Sequence, residues 1–139
     1  MNTDATEEPG PASSAPAWSS ADLRFFDDVR ELEITAPRTD GTFGAWTPIW
    51  VVVVKTDVFV RTWHRRETGW YGRAVQTRRA RIRVSGETVD VMVDPTGESD
   101  AVDEAYRAKY GAGGAQSMVT TEAAASTLRL RAVQRRHSS

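Results

Sequence analysis

The chain has 139 residues, 40% of them hydrophobic and 27% charged, with a formal net charge of -1 and no cysteine. That composition fits one soluble globular domain and excludes disulfides, thiolate metal sites and cysteine nucleophiles. The near-neutral balance argues against general nucleic-acid binding, which needs excess positive charge over a whole face, and no apolar run approaches the length of a membrane span.

Residues 1–17 are rich in Pro, Ala, Ser and acids without apolar periodicity, and are expected to be a disordered tail. A single domain is expected over residues 18–133, with a frayed tail at 134–139. The sequence does not open on a basic and then apolar leader, so the expected location is the cytoplasm. Ser19 or Ser20 predicts a helix cap, and Leu23, Phe26 and Val29 recur every third position behind it. Glu31 to Ala36 alternates as a strand, and Pro37 to Gly44 carries turn chemistry. Ile49 to Val54 is continuously apolar and β-branched, which predicts a strand covered on both faces at the centre of a sheet.

Lys55 to Asp57 predicts a turn into a strand over Val58 to Trp63, followed by a loop carrying Arg65, Arg66 and Glu67 and closed by Gly69. Arg79 to Val84 and Thr88 to Val93 read as a hairpin over Ser85 and Gly86. A two-residue loop sets Val84 opposite Glu87, Ile82 opposite Val89, Arg81 opposite Asp90 and Ala80 opposite Val91. Asp100 to Tyr110 has acids in its first turn, Arg107 and Lys109 in its last and Gly111 beyond it, which are helix signals. Val102, Ala105, Tyr106 and Tyr110 form its apolar stripe. Glu122 to Ser126 suggests one helical turn and Thr127 to Val133 a last strand. The expected class is α+β, mainly antiparallel β, with about six strands and two short helices.

Charge is segregated along the chain. Arg61, Arg65, Arg66, Arg73, Arg78, Arg79, Arg81 and Arg83 share their stretch with one acid, Glu67, while Glu87 to Glu104 holds seven acids and no base. Arg81 and Arg83 read as structural, with Arg81 facing Asp90 across the hairpin. Arg61, Arg65, Arg66 and Arg73 have no such neighbours. Their planar forks suit a phosphate or carboxylate, although a solvated loop, or pairing with the acidic helix start at Glu98 to Glu104, would also accommodate them. Trp46, Trp50, Trp63 and Trp70 fit core packing or a subunit interface, and Trp63 and Trp70 would also suit an aromatic wall for a planar ligand. His64 and Tyr71 are candidate proton donors. Two histidines and scattered carboxylates predict no protein-held catalytic metal, and the glycines from Gly111 to Gly114 lack the strand a dinucleotide fingerprint needs.

Glu33-Ile34-Thr35 with Arg38 and Gly41, Thr47-Pro48-Ile49-Trp50-Val51-Val52, Val58-Phe59-Val60-Arg61, Gly69-Trp70-Tyr71, Ala105 to Gly111, and Thr127 to Leu130 form a series of spaced motifs. In that order they resemble the domain of unknown function 2255 family, common in actinobacterial genomes. That family in turn resembles the flavin-binding split β-barrels, which include pyridoxamine 5'-phosphate oxidases and deazaflavin-dependent reductases. The resemblance implies a homodimeric split barrel binding FMN or a deazaflavin, and an oxidoreductase acting on an organic small molecule. Arg61, Thr62, Arg65, Arg66 and Arg73 would then hold the anionic tail, with Trp63, Trp70 and Tyr71 covering the ring or substrate and His64 and Tyr71 near the chemistry. The chain lacks the oxidase signature of Arg and Lys flanking an apolar strand. The alternative is a cofactor-free barrel, either a small-molecule binder or a cyclase or isomerase.

Overall fold

A computed structural model describes residues 18–62, 69–111 and 113–133. The tails expected at 1–17 and 134–139, and the loop carrying Arg65 and Arg66, lie outside the described residues.

The first helix, α1 (Ser20–Asp28), starts where the sequence signals it. The Ser19 hydroxyl accepts from the Asp22 N–H at 3.0 Å, and Asp22 reaches back to the Ser19 N–H, closing a capping box. Trp18 packs edge-on against Phe26 with ring centroids 4.9 Å apart, and its indole N–H donates to the Leu130 carbonyl at 3.0 Å. These contacts tie the start of the domain to its last strand.

Seven strands follow: β1 (Leu32–Thr35), β2 (Thr47–Ile49), β3 (Val51–Val54), β4 (Asp57–Val60), β5 (Arg79–Val84), β6 (Glu87–Pro95) and β7 (Leu128–Ala132). They form one antiparallel sheet in the order β2-β1-β5-β6-β7-β4-β3. The two end strands, β2 and β3, are separated in the chain by Trp50 alone. A sheet whose edges are consecutive in sequence must curl, and the result is a nearly closed barrel. The apolar stretch Ile49 to Val54 is therefore not a central strand as expected. It is the seam, and its division at Trp50 is why there are seven strands and not six.

Burial on both faces holds for another reason. Val51 points into the barrel core, while Val52 lies under the helix α3 (Asp100–Tyr110) with Val102, Tyr106 and Tyr110. This helix also satisfies backbone groups at the seam. Tyr106 donates to the Trp50 carbonyl at 2.9 Å, and Lys109 donates to the carbonyls of Val51 at 2.8 Å and Phe26 at 2.7 Å. The Val51 N–H donates to the Tyr110 hydroxyl at 3.3 Å, and the Trp50 and Tyr110 rings stack 4.2 Å apart. The predicted stripe of α3 is the face that does this, with Ser99 as its cap and Gly111 past its end at φ 83°.

The hairpin β5–β6 has the register read from the sequence, with Val84 opposite Glu87, Ile82 opposite Val89, Arg81 opposite Asp90 and Ala80 opposite Val91. Its turn places Ser85 at φ 51° and Gly86 at φ 85°, the left-handed pair a two-residue hairpin requires. Arg81 Nε meets Asp90 Oδ1 at 2.7 Å. A further helix, α2 (Gly69–Thr77), begins at the glycine expected to close the loop and fills a stretch to which no element was assigned. Trp70, Tyr71 and Ala74 at spacing i, i+1, i+4 bury into the barrel core, so tertiary packing overrides the weak propensity of a segment with two glycines. With α4 (Thr121–Ala125) and a 3-10 turn at Gln116–Met118, the described helices exceed the two expected.

Candidate functional site

The described residues among those singled out in the sequence fall into two separate environments. Alternation along β4 sends Val58 and Val60 into the barrel, and Arg61, one residue beyond the strand, lies on the α3 side. Arg61 is completely buried. Its Nη1 donates to Asp103 Oδ1 and to the Met118 carbonyl, both at 2.6 Å, its Nε donates to Thr127 Oγ1 at 2.8 Å, and its Nη2 donates to the Ser99 carbonyl at 3.4 Å. Four of the five guanidinium donors are thus engaged inside the fold. The Tyr106 ring lies beneath the guanidinium at 5.5 Å, and burial raises the Tyr106 phenol far above its usual range despite that nearby charge. For Arg61 the pairing is with the acidic helix start, at Asp103. Thr62 follows, with its N–H donating to the Ser126 hydroxyl at 2.9 Å and its carbonyl accepting from the same hydroxyl at 2.8 Å.

Trp70, Tyr71 and Arg73 belong to the second environment, on α2. The Trp70 and Tyr71 rings meet edge to face at 5.7 Å and are more than nine-tenths buried among core residues. Arg73 leaves the same helix toward the β1–β2 connection, where its Nε donates to the Ala36 carbonyl at 3.3 Å. There it meets Arg38, whose Nη1 donates to the Phe43 carbonyl at 2.9 Å and to Thr42 Oγ1 at 3.3 Å. Both guanidiniums close on one side of Gly44. A methyl group at that position would overlap Arg73 Nη2 and stand 3.7 Å from Arg38 Nη2.

The connection between β1 and β2 is itself held in place. Gly44 donates its N–H to the Ala36 carbonyl at 3.2 Å, and its carbonyl accepts from the Thr35 hydroxyl at 2.8 Å. Phe43 lies under the Arg81 guanidinium at 3.9 Å and Trp46 under that of Arg83 at 4.2 Å. Arg81 and Arg83 carry acid partners, Asp90 and Glu33. Among the described residues, no acid lies within ion-pair distance of Arg38 or Arg73. Asp40 interacts with Arg38 through charge alone. Hydrogen bonds from Thr42, first its hydroxyl and then its N–H, hold the Asp40 carboxyl below the usual range, with a smaller pull from Arg38.

The structure therefore separates Arg61 from Arg73, and brings Arg73 together with Arg38, Phe43 and Gly44. Trp63, His64, Arg65 and Arg66 lie outside the described residues. Arg38 was legible as part of a turn and of a family motif but not as a site residue, because its neighbour Arg73 comes from a helix more than thirty positions away in the chain. The signal available was its lack of a nearby partner other than Asp40.

Residues 22–130 match the family described as an uncharacterized protein conserved in bacteria (DUF2255). The chain belongs to the DUF2255 family. No curated protein matches this DUF2255 chain in sequence. Its fold is shared with solved split-barrel structures of low identity. A conserved hypothetical protein of Mycobacterium tuberculosis is 14% identical at a TM-score of 0.59, covering 88% of this chain and 84% of the other. The heme storage protein HutZ of Vibrio cholerae is 12% identical at 0.59, over 80% and 87% of the two chains. An FAD-binding protein of Mesorhizobium loti is 11% identical at 0.56, over 87% and 94%. At these identities the likeness establishes the split-barrel fold of this DUF2255 member. No described helix is long and apolar enough to cross a membrane.

Proposed function

We propose that this protein binds a flavin-type cofactor, FMN or a deazaflavin, and acts as an oxidoreductase on an organic small molecule. The observation that carries the reading is the barrel itself, a fold that the Mesorhizobium loti FAD-binding protein shares over 94% of its length. The residues on hand suit the cofactor. Arginine forks without acid partners among the described residues fit a phosphorylated tail, and Trp70 and Tyr71 of α2, buried in the barrel core, are proposed to back an apolar wall for the ring.

Bound flavin would supply the hydride chemistry, and the chain would supply binding and orientation. Arg65, Arg66 and Arg73, with Thr62 at the end of β4, are the proposed contacts for the anionic part. His64 is the proposed proton donor. Trp63 would cover the ring. Trp70 and Tyr71 shape the wall from within the core, and Arg61 acts as a positioning residue that holds the strand end against α3. The protein is proposed to work as a homodimer, in which a second copy completes the cavity.

The test is a titration of purified, refolded protein with FMN, FAD, a deazaflavin and hemin, followed by flavin fluorescence or Soret absorbance. Saturable binding of a flavin or deazaflavin at micromolar concentration is the expected result. Hemin binding alone, or no binding by folded protein up to about millimolar ligand, overturns the reading.

A further inference from the structure

We infer that Arg38 and Arg73 form a phosphoryl-binding site over Gly44. Two like charges are brought side by side, and an arrangement of this kind is stabilised when an anion lies between them. Each arginine is fastened by one end to the backbone of the β1–β2 connection, Arg38 through Nη1 on the Phe43 carbonyl and Arg73 through Nε on the Ala36 carbonyl. Fastening in this way leaves the two Nη2 groups converging on the same side of Gly44. The ordering cost of the long side chains is already met by those bonds, so the pair is prepared for a ligand.

The absence of a side chain at Gly44 is what makes room. Gly44 is not among the residues with positive φ, so its backbone does not require glycine. The arginine pair does depend on it, because a methyl group there would make the end of the Arg73 side chain move away. The surroundings add rigidity through the Thr35 hydroxyl on the Gly44 carbonyl, and Asp40 is engaged by Thr42. A tetrahedral phosphoryl group offers oxygens to both forks at once, which a single carboxylate does less well. As an anchor for the phosphate of the cofactor, this inference rests on the reading above. As a site for a small organic phosphate, it stands without it.

The experiment measures binding of inorganic phosphate, FMN and riboflavin to the wild type and to Arg38→Gln, Arg73→Gln and Gly44→Ala. Urea unfolding of each variant confirms that it folds. Each substitution is expected to weaken inorganic phosphate and FMN by about tenfold or more, the size of one charged hydrogen bond, while leaving riboflavin unchanged. Gly44→Ala is the sharpest of the three, since it keeps both charges and removes only the space. If phosphate binding shows this pattern and neither flavin binds, the site stands and the flavin reading falls. If FMN and riboflavin bind equally and the substitutions change neither, the flavin reading stands and this site falls. Failure of the wild type both to bind inorganic phosphate and to prefer FMN over riboflavin also overturns it.

Discussion

Arg61 shows how far one side chain can depart from its surroundings in sequence. It opens the most basic stretch of the chain, yet it is buried and paired with Asp103, a partner 42 positions away. Removing Arg61 leaves the partly buried Asp103 carboxylate, the Met118 carbonyl and the Thr127 hydroxyl without their donor, so Arg61→Met is predicted to cost about 3–5 kcal/mol of stability in urea unfolding. A loss below about 1 kcal/mol would show that the guanidinium is not a clamp, because the net value of even one ordinary hydrogen bond is of that order. Lys109 makes a different prediction. Burial pushes its amine down to about 8 from 10.5, against the opposing pull of Asp27 and Asp28. Between those two values the unfolded chain holds the proton more tightly than the folded one, so folding is favoured as pH rises. The stability of the wild type relative to Lys109→Met should therefore increase from pH 8 to 10.5 and be level on either side. A difference that stays level through that window and falls only above pH 10.5 would mean that the carbonyls of Phe26 and Val51 hold the charged form more strongly than burial opposes it.

Among the elements, the β5–β6 hairpin was legible residue by residue because its determinants are local. A two-residue turn and a period of two leave one register that buries Ala80, Ile82 and Val84 together with Val89 and Val91. Arg81→Ala removes an exposed cross-strand pair and a contact over Phe43, and is predicted to cost about 0.2–1 kcal/mol, less in high salt. Gly86→Ala, at φ 85°, should cost more, about 1 kcal/mol or above, as Ala resists the left-handed region. Equal effects of the two would argue against the turn geometry. What the sequence could not show is closure. The run Ile49 to Val54 has the composition of a central strand, and only the meeting of β2 and β3 around the barrel makes it a seam capped by α3. The helix α2 was hidden for a related reason, since Trp70, Tyr71 and Ala74 find their partners in strands that come before and after it.

At the scale of the whole molecule, the segregation of charge resolves into two kinds of arginine. Some are consumed internally, as Arg61 is by Asp103 and Arg81 by Asp90, and local pairing in the sequence anticipated the second of these. Others, Arg38 and Arg73, are gathered by the fold, and no reading of neighbours along the chain would have joined them. If a second copy completes the cavity, light scattering at micromolar concentration should give about twice the mass of one chain, and flavin affinity should fall on dilution below the dimer's dissociation constant. A stable monomer that binds ligand fully would remove the subunit interface from the account. The central claim, that this barrel holds a flavin-type cofactor by its phosphate, is tested most directly by comparing FMN with riboflavin in one fluorescence titration. The account predicts saturation by FMN at micromolar concentration and an affinity for riboflavin lower by about tenfold or more. Equal affinities, or no binding of either by the folded protein, would contradict it.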